Sequence, residues 1–120
     1  SVIVHRKGAI RMRKGEMGII PGAMGGYSYI VQGKGEPESF CSASHGAGRV
    51  MSRNEAKRVF SVEEMMEDFK KRGVILGTPN KSRVIDEFIE AYKDIDEVIG
   101  YQEDLIRVMR KVKTVCVVKG

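Results

Sequence analysis

The sequence is poor in the residues that build metal sites and disulfide frameworks. Its 120 residues include two cysteines and two histidines. Cys41 lies in a Gly/Ser-rich stretch and Cys116 in an apolar run, so they offer neither zinc-site spacing nor a dense disulfide pattern. We therefore expect both thiols to be reduced, as in a cytoplasmic protein. Neither His5 nor His45 has a cysteine or carboxylate at ligand spacing, and we expect no metal site in this chain.

Long apolar runs are also missing. No stretch approaches the ~18 apolar residues of a membrane helix, and no signal-peptide pattern opens the chain, so we expect no membrane association. There is no initiator methionine, and an apolar run begins at Val2, which suggests a piece of a longer protein. The length and the 42% hydrophobic and 31% charged composition suit one ordinary globular segment, residues 1–120.

Positive charge is in excess. The net charge of +5 and the pI near 9.3 favour an anionic partner, either nucleic acid or a nucleotide. Cations are dense at the start of the chain, at Arg6, Lys7, Arg11, Arg13 and Lys14. They form either a solvated edge or a rim that faces an anion, and charge alone favours the solvated edge.

Short strand-like runs and amphipathic helical segments follow one another along the sequence. This pattern predicts an α+β fold (or α/β layers) with a mixed sheet and flanking helices. Strands are predicted at residues 2–4, 18–20, 27–31, 74–76 and 105–118. Of these, residues 2–4 and 115–118 are expected to be buried.

A capping box at Ser61 to Glu64 predicts a helix that runs to about Arg72 and stops at Gly73. Two further helices are predicted at about residues 81–91 and 94–103. Met65, Met66 and Phe69 are expected to face the core. The acidic residues that follow lack calcium-loop spacing and are interpreted as a solvated face. They are Asp86, Glu87, Glu90, Asp94, Asp96 and Glu97.

Residues 40–53 form the most distinctive stretch, because small residues surround His45 and two arginines follow it at steps of four. A helix from about Gly46 to Phe60 would provide a cationic stripe and a set of free N–H groups, as phosphate chemistry at a side-chain nitrogen requires. The stripe would be His45, Arg49, Arg53 and Lys57, and the N–H groups those of Gly46, Ala47 and Gly48. Two alternatives remain open. The stretch could be a Gly-rich loop that caps an ordinary basic helix, or Ser52 and Glu55 could mark a later helix start.

The block from Ser42 to Arg53 resembles the RtcB family of GTP-dependent RNA ligases. Further blocks occur in the family's order across the whole chain. They are residues 4–9, 20–25, 28–29 with 33–35, 91–94 and 118–120. The chain is similar to the C-terminal third or so of a full ligase. The resemblance therefore implies the C-terminal part of the RtcB-type ligase fold.

The resemblance also implies a three-step reaction. A histidine attacks the α-phosphate of GTP and becomes guanylylated. The guanylate passes to an RNA 3′-phosphate, which is generated by opening a 2′,3′-cyclic phosphate. The 5′-hydroxyl of a second RNA strand then displaces GMP and seals the nick, as in tRNA splicing or RNA repair.

Residue roles carry over by position. The motif match makes His45 the nucleophile that forms the GMP-histidine intermediate. Nucleotide contacts are implied for Gly46, Ala47 and Gly48, for Pro21, Gly22, Ala23, Met24 and Ser28, and for Tyr92 and Lys119. Lys119 matches a lysine that reaches the guanine base, and Tyr92 a tyrosine that flanks it. Contacts to RNA or triphosphate oxygens are implied for Lys7, Arg49 and Arg53.

Two positions depart from the family pattern. Ala23 stands where many relatives have serine, so one hydrogen bond to the nucleotide is missing while backbone contacts remain. Residues 87–90 also lack a proline that usually precedes the Ala-Tyr-Lys block, and this proline affects how Tyr92 is presented.

Cofactors and partners follow from the resemblance as well. The family binds two Mn²⁺ ions through Asp, Cys and His residues that lie upstream of this region. We therefore expect the chain to carry the nucleophile and part of the GTP pocket without the metals, and to be unable to ligate RNA by itself. The implied partners are RNA (tRNA halves or broken RNA), the missing N-terminal part of the ligase and an archease-like activator.

Two rival hypotheses stay open. The chain could be a non-catalytic module that binds RNA or a nucleotide through the basic stripe, with binding that depends steeply on salt. Alternatively, His45 could serve histidine phosphotransfer, which moves a γ-phosphate rather than an α-phosphate.

Overall fold

The computed structural model describes residues 1–119 and has an α+β fold, as the sequence predicts. Its strands are β1 (Ala9–Arg11), β2 (Met17–Ile20), β3 (Tyr27–Gly33), β4 (Ser42–Ser44), β5 (Ile75–Gly77), β6 (Ile106–Lys113) and β7 (Cys116–Val118). The α-helices are α1 (Arg53–Val59), α2 (Val62–Arg72) and α3 (Ile95–Gly100). Short 3₁₀ helices cover Pro37–Ser39, Lys81–Glu87 and Ile89–Ala91.

The main sheet has three antiparallel strands in the order β2-β3-β6. Its inner face packs on α3 and on the loop after β4 in one core. Ile20, Val31 and Ile106 contribute from the sheet, and Ile95 and Ile99 from α3. This core fixes the start of α3 and the segment before it beside the sheet.

A second core lies around α2. Met65 and Phe69 of α2 pack with Val84, Ile85 and Phe88, and Met66 packs against this group, as the helical periodicity predicts. The predicted capping box is also confirmed. The Ser61 hydroxyl accepts from the Glu64 N–H at 3.1 Å, the Glu64 carboxylate accepts from the Ser61 N–H at 3.0 Å, and Gly73 ends the helix at φ +69°.

The β1–β4 ladder positions the histidine. Ala9 pairs with Ser44 at its end, so Gly8 and His45 leave the ladder side by side. The His45 N–H donates to the Gly8 carbonyl at 3.3 Å. The ladder therefore holds Gly8, in the block of residues 4–9, next to His45, in the block of residues 42–53.

Several predicted boundaries are wrong. Residues 2–4 form no strand, and the side chains of Val2 and Ile3 are 71% and 100% exposed. The predicted helix at 81–91 is two 3₁₀ helices separated by Phe88, which is buried in the second core. The helix predicted at 94–103 ends at Gly100.

The predicted strand at 105–118 is two strands. The Thr114 hydroxyl donates to the Gly26 carbonyl at 2.5 Å, and the chain then leaves the main sheet so that β7 pairs in parallel with β5. The expected burial of residues 115–118 is also wrong, since Val115 and Val118 are 71% and 80% exposed. Both cysteines are free thiols, as predicted.

In the described part of the chain, every helix is too short or too polar to cross a lipid bilayer.

Candidate functional site

The loop after β4 carries His45 at the surface. The predicted helix from Gly46 is wrong, because residues 46–51 form a loop and α1 begins at Arg53. The alternative start is confirmed: the Ser52 hydroxyl caps α1 by accepting from the Glu55 N–H at 3.1 Å. The N-terminus of α1 therefore does not begin at the residue after His45, and loop N–H groups follow His45 in place of the predicted helix start.

Two neighbouring segments hold this loop in place. The Ser44 hydroxyl donates to the Gly46 carbonyl at 2.5 Å and closes the turn around His45. Gly48 has φ +77°, a left-handed conformation that glycine adopts without strain. Beyond it, the Lys93 N–H donates to the Gly48 carbonyl at 2.9 Å, and the Val50 N–H donates to the Ala91 carbonyl at 3.0 Å.

A second turn, residues 21–26, approaches the first. The Gly22 N–H donates to the Ser28 hydroxyl at 3.2 Å, and the Gly26 N–H donates to the Ala23 carbonyl at 2.9 Å. A Cβ built on Gly22 would lie 2.0 Å from the Tyr27 carbonyl oxygen, so only glycine fits there. A Cβ built on Gly46 would lie 3.2 Å from the Pro21 carbonyl oxygen. The two predicted nucleotide-contacting turns are thus in contact.

Tyr92 lines three cavities beside these turns, two of which include most of the residues with an implied nucleotide role. The first has a volume of about 650 Å³ and includes His45, Gly46, Ala47 and Gly48 in its wall. The second, which we call the turn cavity, has a volume of about 320 Å³. Its wall includes Gly22, Ala23, Met24, Ser28, Glu87, Tyr92 and Lys119. Nearly all residues with an implied nucleotide role therefore lie around two adjoining cavities.

The three cations with implied phosphate contacts have different surroundings. Lys7 is exposed in the segment before β1 and lines neither cavity. The Arg49 guanidinium lies 4.8 Å from the centre of the Tyr92 ring, and its Nη1 and Nη2 atoms are buried without a hydrogen-bond acceptor. Arg53 donates through Nη1 to Asp86 at 2.8 Å and to Glu87 at 2.6 Å.

Comparison with known proteins bears on the whole chain. The model of the tRNA-splicing ligase RtcB family matches residues 1–120. The chain belongs to the RtcB family. It is 50% identical over 119 residues to the RNA-splicing ligase RtcB of Escherichia coli K12, covering 99% of this chain and 28% of that protein.

More distant RtcB relatives give the same picture. The tRNA-splicing ligase RtcB of Nanoarchaeum equitans is 38% identical over 136 residues, covering 99% of this chain and 28% of that protein. The RNA-splicing ligase RtcB of Mycobacterium tuberculosis is 38% identical over 135 residues, covering 100% of this chain and 31% of that protein. The chain thus spans less than a third of the length of these relatives.

Glu87 lines the turn cavity, although the sequence pattern predicts that it belongs to a solvated face. That interpretation is wrong for Asp86 and Glu87. Asp86 is 7% exposed and Glu87 faces the turn cavity, because Arg53 approaches both carboxylates from α1. No periodicity in the sequence signals this pairing. The one local signal of their burial is that Asp86 and Glu87 directly follow two apolar residues, Val84 and Ile85.

Hydrogen bonds and charge shift two pKa values at the turn cavity. Burial by itself raises the pKa of Glu87, but hydrogen bonds from Tyr92 and Arg53 and the charge of Lys119 outweigh it, so the pKa lies below its ordinary value. Burial and the hydrogen bond to the Glu87 carboxylate raise the pKa of the Tyr92 phenol. Glu87 is therefore an anion and Tyr92 a neutral hydrogen-bond donor near neutral pH.

The chain's ligating side chains do not assemble a metal centre. Within residues 1–119, no three His, Cys, Asp or Glu side chains converge on a point that could hold an ion. The residues present thus do not fit Mn²⁺.

Proposed function

We propose that this chain is the nucleophile-bearing and GTP-binding part of an RtcB-type RNA ligase. In this proposal the enzyme joins RNA 2′,3′-cyclic phosphate or 3′-phosphate ends to 5′-hydroxyl ends through a GMP-histidine intermediate. The observation that carries the proposal is the contact between Gly46 and Pro21. It brings the exposed His45 loop against the turn cavity, in a chain whose family members are named RNA-splicing ligases.

His45 is the proposed nucleophile. A ring nitrogen attacks the α-phosphorus of GTP, a P–N bond forms, the α–β anhydride breaks and pyrophosphate leaves. The P–N bond then breaks as the guanylate passes to the RNA 3′-phosphate. Attack by the 5′-hydroxyl on that activated phosphate releases GMP. The exposure of His45 and the small residues on either side of it leave room for the phosphate to approach.

The turn cavity suits the guanosine part of the nucleotide. Its volume of about 320 Å³ lies at the lower end of the usual range for ligand pockets. The wall offers an ammonium group from Lys119, the hydroxyl of Ser28, backbone groups of Gly22 to Met24 and the ring of Tyr92. Guanine carries both hydrogen-bond acceptors and donors and has a flat face. Lys119 would donate to the base while Tyr92 would lie along its face.

The cavity beside His45 would hold the phosphate end. Gly46, Ala47 and Gly48 line it with backbone, and its second wall is formed by α3 and the segment before it. The chemistry requires mainly positioning and charge neutralisation at phosphorus. Within residues 1–119 the side chains do not fit Mn²⁺. The expected ligands of two manganese ions belong to the part of the ligase that precedes this segment.

The remaining partners are proposals too. RNA ends, such as tRNA halves or broken RNA, would be the substrates, and an archease-like activator and the N-terminal part of the ligase would be protein partners. The cytoplasm is the proposed location, because RNA ends and GTP are both present there.

Label transfer from GTP tests this function. The protein would be a full-length ligase that carries this chain, for example the E. coli relative with its matching segment replaced. Incubation with α-labelled GTP and Mn²⁺ should label the protein, and γ-labelled GTP should not. His45→Ala should abolish the label, and His5→Ala, at the one other histidine of the sequence, should not.

The rivals give other results in the same assay. Label from the γ-phosphate would identify histidine phosphotransfer. Absence of any label, with RNA binding that falls steeply with salt and survives His45→Ala, would identify a non-catalytic binding module.

A further inference from the structure

Glu87 is the one acidic side chain in the described wall of the turn cavity, and both of its oxygens are engaged by protein groups. Oε1 accepts from Arg53 Nη1 at 2.6 Å, and Oε2 accepts from the Tyr92 hydroxyl at 2.5 Å. These are short, charge-assisted hydrogen bonds, which are stronger than neutral ones. Both oxygens of the carboxylate are thus engaged by protein groups, although Glu87 lines the turn cavity.

The anchors of Glu87 are themselves fixed. Arg53 starts α1 and also donates to Asp86, which is buried. Phe88, the next residue, is 5% exposed in the second core and packs edge-on against Phe60 with ring centroids 5.0 Å apart. The backbone on both sides of Glu87 therefore has little freedom, and the carboxylate is a rigid point of attachment.

Tyr92 is held at two points. Its hydroxyl is bound to Glu87, and one face of its ring lies against the Arg49 guanidinium at 4.8 Å. Tyr92 lines the cavity beside His45 and also the turn cavity. An aromatic ring that is already fixed in its bound orientation loses less conformational entropy when a ligand binds.

We propose that Glu87 is a positioning residue of the nucleotide site, which acts through the hydroxyl of Tyr92 and uses Arg53 as its anchor. This inference rests on the proposed role of Tyr92 beside the guanine base. It assigns Arg53 to the support of Tyr92 and not to direct binding of phosphate. Glu87 itself touches no atom of the nucleotide.

A double-mutant cycle between the two residues tests this inference in the full-length ligase that carries the chain. The variants are Glu87→Gln, Tyr92→Phe and the double variant, with GTP as the probe in equilibrium binding. Tyr92→Phe removes the donor hydroxyl and Glu87→Gln removes the charge of the acceptor. We expect each to weaken GTP binding by up to about tenfold, because the ring is no longer held in its bound orientation before the ligand arrives. The double variant should be no weaker than either single one.

Glu90→Gln is the matched control. Glu90 lies three residues further on, is exposed, and makes no side-chain hydrogen bond within residues 1–119. Its amide variant should bind GTP as the unmodified protein does. In guanylylation kinetics, Glu87→Gln should raise KM for GTP and leave kcat within about twofold, because the reacting phosphorus lies at His45.

A second measurement does not depend on nucleotide. Tyrosine side-chain NMR of the same protein follows the ionisation of Tyr92, and Glu87→Gln should lower the pKa of its phenol because the carboxylate acceptor and its charge are removed. Glu90→Gln should leave it unchanged. This measurement also shows whether the Glu87→Gln protein is folded.

The outcomes separate the inference from the function on which it rests. If the unmodified protein binds GTP but the two single effects add, Glu87 contacts the ligand directly and the inference is wrong. It is equally wrong if Glu87→Gln leaves both GTP binding and the pKa of Tyr92 unchanged. If the unmodified protein binds no GTP at all, the proposed function fails, and the inference fails with it even where the pKa of Tyr92 responds to Glu87.

Discussion

The carbonyl oxygen of Pro21 lies so close to Gly46 that a Cβ at residue 46 would be 3.2 Å away from it. Gly46 follows His45, and Pro21 begins the turn that lines the turn cavity. The absence of a side chain at residue 46 thus sets the distance between the proposed nucleophile and the proposed nucleotide pocket.

Gly46→Ala should impair guanylylation more than stability. The added methyl group needs a shift of a few tenths of an ångström between the two turns, and small misplacements of reacting groups cost large factors in rate. We expect the rate of adduct formation to fall about tenfold or more in label-transfer kinetics. Gly100→Ala is the control, because a Cβ there meets no atom within 4 Å. Equal loss in both variants would contradict this explanation.

Ser52→Ala should destabilise the chain by about 1 kcal/mol, as loss of an N-cap does. The sign of the change in unfolding free energy distinguishes a helix that starts at Arg53 from one that starts near Gly46. In a helix that began near Gly46, Ser52 would be an interior residue and alanine would be mildly favourable. Urea unfolding measures the difference, and Ser61→Ala at the cap of α2 supplies a reference of similar size. A gain in stability from Ser52→Ala would favour the longer helix.

Arg53→Met should destabilise the chain by about 1–2 kcal/mol. Removing the cation leaves the buried Asp86 carboxylate uncompensated, and the cost is lower than for a fully buried pair because the Arg53 side chain is 56% exposed. Arg58→Met removes an equal charge from the same helix, at an exposed residue with no ion pair within residues 1–119. The two variants should differ in chemical denaturation, and identical stability would show that the Arg53 pairs contribute nothing.

Asp96 should make folding stability depend on acid pH. Hydrogen bonds from Tyr29 and Lys111 lower the pKa of this carboxyl, so the unfolded chain takes up its proton first as the pH falls. The contribution of Asp96 is present above the unfolded pKa of about 3.9 and is lost as the pH falls through the folded value. The stability gap between the unmodified chain and Asp96→Asn should therefore shrink from pH 6 to pH 3.

The control for that titration is Asp104→Asn, at an exposed carboxylate with no hydrogen bond within the described chain. The change in gap for Asp96→Asn is measured relative to the gap for Asp104→Asn over the same range. A constant gap for Asp96→Asn would show that the contacts from Tyr29 and Lys111 do not favour the ionised form.

Local signals in the sequence predicted local structure well. The capping box of Ser61 and Glu64 and the stop at Gly73 are satisfied by groups within one helical turn, so they need no knowledge of the rest of the molecule. The same holds for the strand-like composition of β3. These features could be predicted because their hydrogen-bond partners lie beside them in the chain.

Distant partners account for the failures. The sequence of residues 46–51 predicts a helix. In the structure Arg49 instead forms an isolated antiparallel β-bridge with Tyr92, 43 positions later, and Gly48 takes a left-handed conformation. Residues 105–118 read as one strand, but β7 leaves the sheet to pair with β5. Apolar residues 2–4 read as buried although no element covers them. Composition does not reveal which distant segment competes for a residue's hydrogen bonds.

In the candidate site, too, residues that belong to a motif could be predicted and a residue that depends on a distant partner could not. Resemblance to RtcB ligases supplied His45, the two turns, Tyr92 and Lys119, and the fold brings most of these residues to adjoining cavities. Glu87 was missed because its environment is created by Arg53, which lies 34 positions earlier in the chain. A residue that supports the site through another residue carries no motif of its own.

The central claim is that His45 becomes guanylylated, and locating the adduct tests it most directly. The full-length ligase that carries this chain is incubated with GTP and Mn²⁺, digested under conditions that preserve phosphoramidates, and analysed by fragmentation mass spectrometry. We predict one guanylate on the peptide that contains His45, attached to the imidazole, and none after His45→Ala. A guanylate on any other residue, or one that persists in His45→Ala, would contradict the account.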